Sequence, residues 1–222
     1  MPMRKMIIIL DLAALALAGF IIWAISQGWV GITTDNRLRD RYRGEIPQVT
    51  SSVDKDNDGI DDQTDILQSA LAYVATKPAY KSQYYDGGYP DDGYGVCTDV
   101  VAQGLLGAGY DLRELVDADI RANMDQYGLD RADSNIDFRR VRNLKVFFAN
   151  TAISLTTDLS QIEEWQGGDI VVFNKHVGIV SDRRNTKGIP YLIHHYGPMQ
   201  TRYEQDCLEN YSDIVGHFRI SE

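Results

Sequence analysis

WQGGDIVVFNKHVGIVSD, Trp165 to Asp182, decides the fold class. Its two apolar runs, IVVF and VGIV, are too short for helices, rich in β-branched residues, and bounded by glycine, aspartate and asparagine. These are strand signals. Downstream, PYLIHHYG and DIVGHFRI repeat the pattern, and upstream AISLTTD begins it. The preceding half reads differently. TDILQSALAYVATK (Thr64 to Lys77) places Ile66, Leu67, Ala70, Leu71 and Val74 on one helical face, with Thr64 or Asp65 as cap. CTDVVAQGLLGAGY predicts a second helix. DLRELVDADIRANMDQYG predicts a third, with Leu112, Leu115, Val116, Ile120 and Met124 inward, and RRVRNLKVFFAN a fourth. Helices first and strands afterwards predict an α+β domain, N-terminal helices packed on a C-terminal antiparallel sheet.

The chain has 222 residues, 44% hydrophobic and 24% charged, enough for one sizeable core. Its formal net charge of -10, with no basic cluster in the body, argues against nucleic-acid binding. After Arg4 and Lys5, Met6 to Ile25 is apolar except for Asp11, long enough to span a bilayer. Residues 1–30 therefore read as an uncleaved membrane anchor, with Trp23 and Trp29 at the far interface and a cleaved signal peptide as the alternative. Residues 31–53 are polar, charged and without period, as in a juxtamembrane stalk. Arg37, Arg39, Arg41 and Arg43 outnumber Arg4 and Lys5, which opposes an outside domain, although long domains translocate regardless of nearby charge.

DKDNDGIDDQTD, Asp54 to Asp65, carries carboxylates at loop positions 1, 3, 5, 9 and 12 with glycine at 6. This spacing suits a hard cation that takes six to eight oxygens: Asp54, Asp56 and Asp58 around the ion, the Ile60 carbonyl next, Asp62 directly or through water, and Asp65 in place of the usual glutamate. Residues 54–65 resemble the calcium loops of thrombospondin type 3, dockerin and EF-hand proteins, and the alternative is a solvated acidic turn. The expected cofactor is a structural Ca²⁺, with no organic cofactor. Extracellular calcium would fill even a weak site, favouring an outside domain.

Of two cysteines, Cys97 in GYGVCTDVV sits at a predicted helix start, where unpaired N–H groups favour a thiolate and Gly93 and Gly95 leave the approach open. From position alone it is a nucleophile, a buried thiol, or half of a disulfide with Cys207. Cys207 itself reads as structural or incidental. A nucleophilic cysteine needs a base and a group to orient that base. His176 and His194 occupy neighbouring predicted strands where both can project to one face, with His195 pointing the other way. Asp99 reads as stabilising the helix start and His217 as structural. Tyr84, Tyr85, Tyr89 and Tyr94 either line a groove or pack on the sheet.

GYGVCTDVV, WQGGDIVVFNKHVGIVSD and YLIHHYG together resemble the NlpC-type, papain-like bacterial cell-wall peptidases. GVCTDVV, NIDFRRVRNL and the terminal GHFRI resemble, more closely, a secreted bacterial family of unknown function within that superfamily. The resemblance covers about residues 62 to 220. It implies a papain-like cysteine hydrolase domain over residues 66–222, Cys97 as nucleophile, His176 as general base and acid, and His194 as orienting residue. It further implies amide hydrolysis in peptidoglycan stem peptides by a single-pass membrane protein with its C-terminal domain extracytoplasmic. The His176 to His194 spacing and the tyrosine-rich segment before Cys97 depart from the better-studied members. The alternatives are a non-catalytic wall-binding protein on the same fold, or an acyl transferase or thioesterase using the same Cys and His.

Overall fold

The computed structural model describes residues 17–20 and 37–222. The anchor expected over Met6 to Ile25 lies outside the described residues apart from 17–20, which are helical. No helix among the described residues is long and apolar enough to cross a membrane.

The helices come first. α1 (Asp62–Ala75) buries Ile66, Ala70 and Val74, the face expected from the sequence. Its cap is Asp61 rather than Thr64 or Asp65: the Asp61 carboxylate accepts from the Thr64 N–H and hydroxyl, so the helix starts earlier and takes in Asp62. Two short strands, β1 (Ala79–Tyr80) and β2 (Tyr94–Gly95), pair in parallel beside α2 (Cys97–Gly107). The third expected helix breaks at Asn123 into α3 (Leu112–Ala122) and the short α4 (Met124–Tyr127). Leu112, Val116 and Ile120 are buried as expected, whereas Leu115 is exposed, because residues four apart rather than three lie along the packed stripe. A 3₁₀ turn (Asp137–Arg139) leads into α5 (Val141–Thr151).

The strands follow: β3 (Ile153–Ser154), β4 (Ile170–Phe173), β5 (Val177–Arg184), β6 (Pro190–Ile193), β7 (Glu204–Gln205) and β8 (Ile214–Arg219). They form one antiparallel sheet in the order β3-β8-β4-β5-β6-β7. Side chains alternate across it. Ile170, Val172, Val177, Ile179, Ile193 and Phe218 join the helices in the main core. Val171, Phe173, Val180 and Leu192 face a second cluster around Trp165, Ile189 and Leu208. A sheet covered on both faces explains the unbroken apolar run IVVF in the opening stretch.

α2 lies against α1 and β5 at Gly104, where an added Cβ would be 2.6 Å from Ile179 Cδ1 and 3.1 Å from the Ile66 carbonyl oxygen. Only glycine lets α2 sit this low on the sheet.

Residues 37–53 have no regular structure, in keeping with a stalk-like composition, but they are bound along the domain. Arg37 pairs with Glu204 and Asp182. The Arg41 N–H donates to the Arg184 carbonyl at 2.8 Å, and Tyr191 Oη donates to the Arg39 carbonyl at 2.8 Å. Gln166 Nε2 donates to the Pro47 carbonyl, and Ser51 meets Ser221 at 2.7 Å. Charge pairs and backbone contacts hold this strap where hydrophobic periodicity is missing.

Candidate active site

Val96 takes an extended conformation as N-cap of α2, which puts Cys97 in the first helical position. The Asp99 carboxylate accepts the Val96 N–H at 2.8 Å and is itself held by Arg139, with Nε and Nη2 donating at 2.7 and 2.9 Å. Both side chains are buried. Arg139 also donates to the Gln83 carbonyl at 2.7 Å and lies 4.9 Å from the Tyr85 ring centre. One bidentate ion pair thus fixes the start of α2 to the tyrosine-rich segment. Asp99 has the helix-stabilising role expected from its position. Arg139, in NIDFRR, was not singled out from its neighbours by sequence, since nothing in the spacing reveals a burial partner 40 residues away.

His176 immediately precedes β5 and His194 immediately follows β6. Their facing nitrogens, His176 Nε2 and His194 Nδ1, are 2.8 Å apart, and His194 Nε2 is 2.7 Å from Gln205 Oε1 on β7. Gly178 permits this approach: a Cβ there would be 2.8 Å from the Ile193 carbonyl oxygen and 3.2 Å from His194 Cβ. The Val177 N–H, next to His176 in the chain, is directed at the Cys97 sulfur. The structure thus pairs His176 with His194 directly and links Cys97 to this region through the Val177 N–H, at the junction of α2 with the sheet.

The chain of partners sets the tautomers. The Gln205 amide oxygen only accepts, so His194 Nε2 carries a hydrogen. His194 Nδ1 then accepts from His176 Nε2–H, leaving the lone pair on His176 Nδ1. Burial, with the nearby charges of His194 and His195, holds His176 well below its ordinary pKa. Burial also lowers His194 to about 4, against the opposing Gln205 hydrogen bond. Both rings are neutral at pH 7, and of the pair only His176 Nδ1 keeps a lone pair not taken by this chain of bonds.

Cys97 departs from the lowered pKa expected at a helix start. Burial pushes its thiol up to about 11, and the Asp99 charge acts in the same sense. The N–H groups of Val177, Thr98 and Cys97 oppose this without reversing it. Desolvation outweighs the helix end, so the resting group is a thiol that ionises as its proton leaves.

Both cysteines are free, which removes the disulfide reading. Cys207 Sγ instead lies 3.7 Å from His194 Nε2. His195 points away from the pair, into an edge-on contact with Tyr80 and Tyr203. His217 is structural: with Arg219, Gln63 and the Gln166 N–H it binds the buried Asp169, while its ring stacks on Trp165 at 3.9 Å. The tyrosines divide. Tyr85 and Tyr89 pack inward, bonding Asp92 and Asp111, whereas Tyr84 and Tyr94 are exposed. Tyr196 lies edge-on to His176 at 5.4 Å, Tyr211 lies nearly parallel to it at 6.1 Å, and Cys97 acts electrostatically on the hydroxyls of Tyr80 and Tyr211. Gln205, Tyr196 and Tyr211 were not identified from sequence. Gln205 lies on a two-residue edge strand and the two tyrosines in connecting segments, and only the sheet order brings them here.

In the acidic loop, ligand oxygens of Asp54, Asp56 and Asp58 all lie within 4.8 Å of one another. Gly59 turns at φ 96° and Asn57 at 63°. Burial, followed by the charges of Asp58, Asp56, Asp54 and Asp61, raises Asp65 to about 6, the response of a carboxylate facing this cluster. Asp62 is not in the group. Its oxygens accept from the Lys55 N–H, Tyr110 Oη and Ser221 Oγ. The Ile60 N–H donates to Asp58 at 2.8 Å. The loop thus brings together three of the six expected ligand positions, Asp54, Asp56 and Asp58, leaves Asp65 outside that group, and commits Asp62 to the domain interior.

An α+β domain with a Cys–His–His–Gln constellation at the helix–sheet junction defines the class. The chain belongs to the family described as Domain of unknown function (DUF1287), whose model matches residues 67–220. It is 38% identical over 151 residues to the uncharacterized protein YijF of Escherichia coli strain K12, covering 64% of this chain and 72% of that protein. No solved structure matches at a significant level.

Proposed function

We propose that this protein is a cysteine hydrolase of NlpC-type, papain-like descent that cleaves amide bonds in peptidoglycan stem peptides. The observation that carries the proposal is the linked geometry of Cys97, directed onto by the Val177 N–H, and the His176–His194–Gln205 chain beside it. Cys97 Sγ attacks the amide carbon as its proton passes to His176 Nδ1. The N–H groups at the start of α2 receive the oxyanion. His176 then protonates the leaving nitrogen, the C–N bond breaks, and a thioester remains on Cys97. Water attacks the thioester, gives its proton to His176, and releases the carboxylic acid with the thiol restored. His194 and Gln205 hold the His176 ring and its tautomer throughout.

The acidic loop supports a structural Ca²⁺ held by Asp54, Asp56 and Asp58 with the Ile60 carbonyl, Asp65 completing the set. The ion would tie the strap to the start of α1. A single-pass anchor with the domain outside the membrane follows from the apolar run at Met6 to Ile25 and from the calcium available there.

The test is to incubate the full chain with purified peptidoglycan and identify released fragments by mass spectrometry. Release that is lost in Cys97→Ala and His176→Ala is expected. Undiminished release from Cys97→Ala overturns the assignment, and no release from any wall chemistry overturns the substrate.

A further inference from the structure

We propose that Arg37, in the strap and well ahead of the family-matched residues 67–220, is a positioning residue for the His176–His194 pair, acting through Glu204 and Gln205 of β7. The hydrolase reading supplies what the pair does; side chains and sheet order supply the link to it.

β7 is a two-residue strand at the end of the sheet, paired with β6 at Leu192–Gln205 and Ile193–Glu204. Successive strand residues face opposite sides. Gln205 turns to His194, whose Nε2 its Oε1 meets at 2.7 Å, and Glu204 turns the other way, where Ser181 Oγ donates to it at 2.5 Å. Whatever holds Glu204 on one side of β7 therefore holds Gln205 on the other.

Arg37 holds it. Its Nη2 donates to Glu204 Oε1 at 2.5 Å, its Nε lies 3.2 and 3.3 Å from the two carboxylate oxygens, and the adjacent Leu38 N–H donates to Oε2 at 3.1 Å. The same guanidinium bonds Asp182 and, at 3.0 Å, the Ser181 hydroxyl, both on β5. Since β6 lies between β5 and β7, one strap side chain clamps the outer two strands across the middle one. Burial works against the Arg37 charge, yet the bonds to Glu204 and Asp182 raise its pKa above the ordinary value. Burial likewise works against the Asp182 charge, which Arg37 nevertheless holds below the usual carboxylate range.

Removing the clamp has a definite sign. Glu204 Oε1 and Asp182 Oδ1 share the Ser181 hydroxyl, at 2.5 and 3.4 Å, and the Glu204 side chain is only 7% exposed. Without Arg37 these are two like charges in a partly dry setting, and they repel. The short edge strand is the part that yields. Gln205 then draws away from His194 Nε2, and the tautomer that leaves the lone pair on His176 Nδ1 is no longer set.

The test follows the His194 Nε2–H by NMR in the full chain, labelled with ¹⁵N-histidine and kept in detergent micelles without substrate, so the outcome does not depend on whether peptidoglycan is cleaved. Gln205→Leu identifies the signal. Solvent exchange of this buried, hydrogen-bonded proton is expected to be about tenfold or more faster in Arg37→Met than in wild type. A smaller acceleration is expected in Arg37→Lys, whose ammonium keeps the charge but not the fork. Adding Asp182→Asn to Arg37→Met is expected to slow exchange again, because one of the two like charges is gone. Ser51→Ala, which loosens the strap at Ser221 rather than at β7, is expected to leave exchange unchanged. Wild-type exchange in folded Arg37→Met overturns the proposal, as does the absence of slowing in the double variant. Equal acceleration by Ser51→Ala also overturns it, making the strap a general brace. If circular dichroism shows Arg37→Met to be unfolded, Arg37→Lys decides, and wild-type exchange in that variant overturns the proposal.

Discussion

Replacing Arg139 by methionine should be among the most damaging single changes away from the reacting atoms. The wild-type guanidinium makes two bonds to Asp99, of 2.7 and 2.9 Å, and a third of 2.7 Å to the Gln83 carbonyl. Both charged side chains are almost wholly out of water, at 2% and 0% exposure. Methionine preserves much of the apolar stem but leaves the Asp99 carboxylate buried with the Val96 N–H as its remaining partner in this group. Breaking one side of a buried pair costs ~3–5 kcal/mol. For a chain of this size each kcal/mol moves the melting temperature by about 2–4 °C, so a loss of roughly 6–20 °C is expected. Urea unfolding followed by circular dichroism measures the cost directly. Asp99→Leu combined with Arg139→Met should be less destabilised than the sum of the single changes, because the stranded charge is gone. A loss below ~1 kcal/mol for Arg139→Met, or strict additivity in the double variant, refutes the claim that this pair secures the start of α2.

The Cys97 thiol near pKa 11 should be alkylated by iodoacetamide at a rate rising about tenfold per pH unit from pH 7 to 9, measured in a Cys207→Ser background. A rate flat between pH 5 and 8 would instead mean a preformed thiolate. Asp65 has a folded pKa of about 6, above its unfolded 3.8, so the folded state binds that proton more tightly. Its contribution is most favourable below pH 3.8 and is lost as pH rises through about 6. The buried histidines act in the opposite direction, with stability lost as pH falls below 6.5, so the informative quantity is the difference between variant and wild type. In EDTA at pH 7, Asp65→Asn should melt higher than wild type; added calcium should raise wild type and narrow that gap. No response of either protein to EDTA or calcium counts against the metal. Gly178→Ala should cost ~1–3 kcal/mol by thermal melting, since its Cβ meets the Ile193 carbonyl; a neutral result would show that β5 and β6 have slack there.

Much of the architecture was legible because it is periodic. The i, i+4, i+8 spacing of Ile66, Ala70 and Val74 located α1, and the β-branched runs at 170–173 and 177–180 located the central hairpin. Helix ends were less legible: Asp61 won the cap because its carboxylate reaches Thr64, and Asn123 broke a helix whose polar pattern runs straight through it. Cys97, His176 and His194 could be selected because each sits at the end of a regular element whose direction is readable. Gln205, Tyr196 and Arg139 could not. Their roles depend on which strand neighbours β6, where a connecting segment folds back, and which charge is buried against α2. The thiol pKa was misjudged for a related reason, since position in a helix is visible in sequence and burial of the helix end is not. Residues 37–53 show the same limit, being stalk-like in composition and bound along the domain in space.

The most direct measurement is intact-protein and peptide mass spectrometry of the full chain, acid-quenched during reaction with peptidoglycan fragments. A thioester adduct on the peptide containing Cys97, absent in His176→Ala and with Cys207 unmodified, is the predicted result. Fragment release with no adduct on Cys97, or an adduct carried by Cys207, would contradict the assignment of Cys97 as the nucleophile.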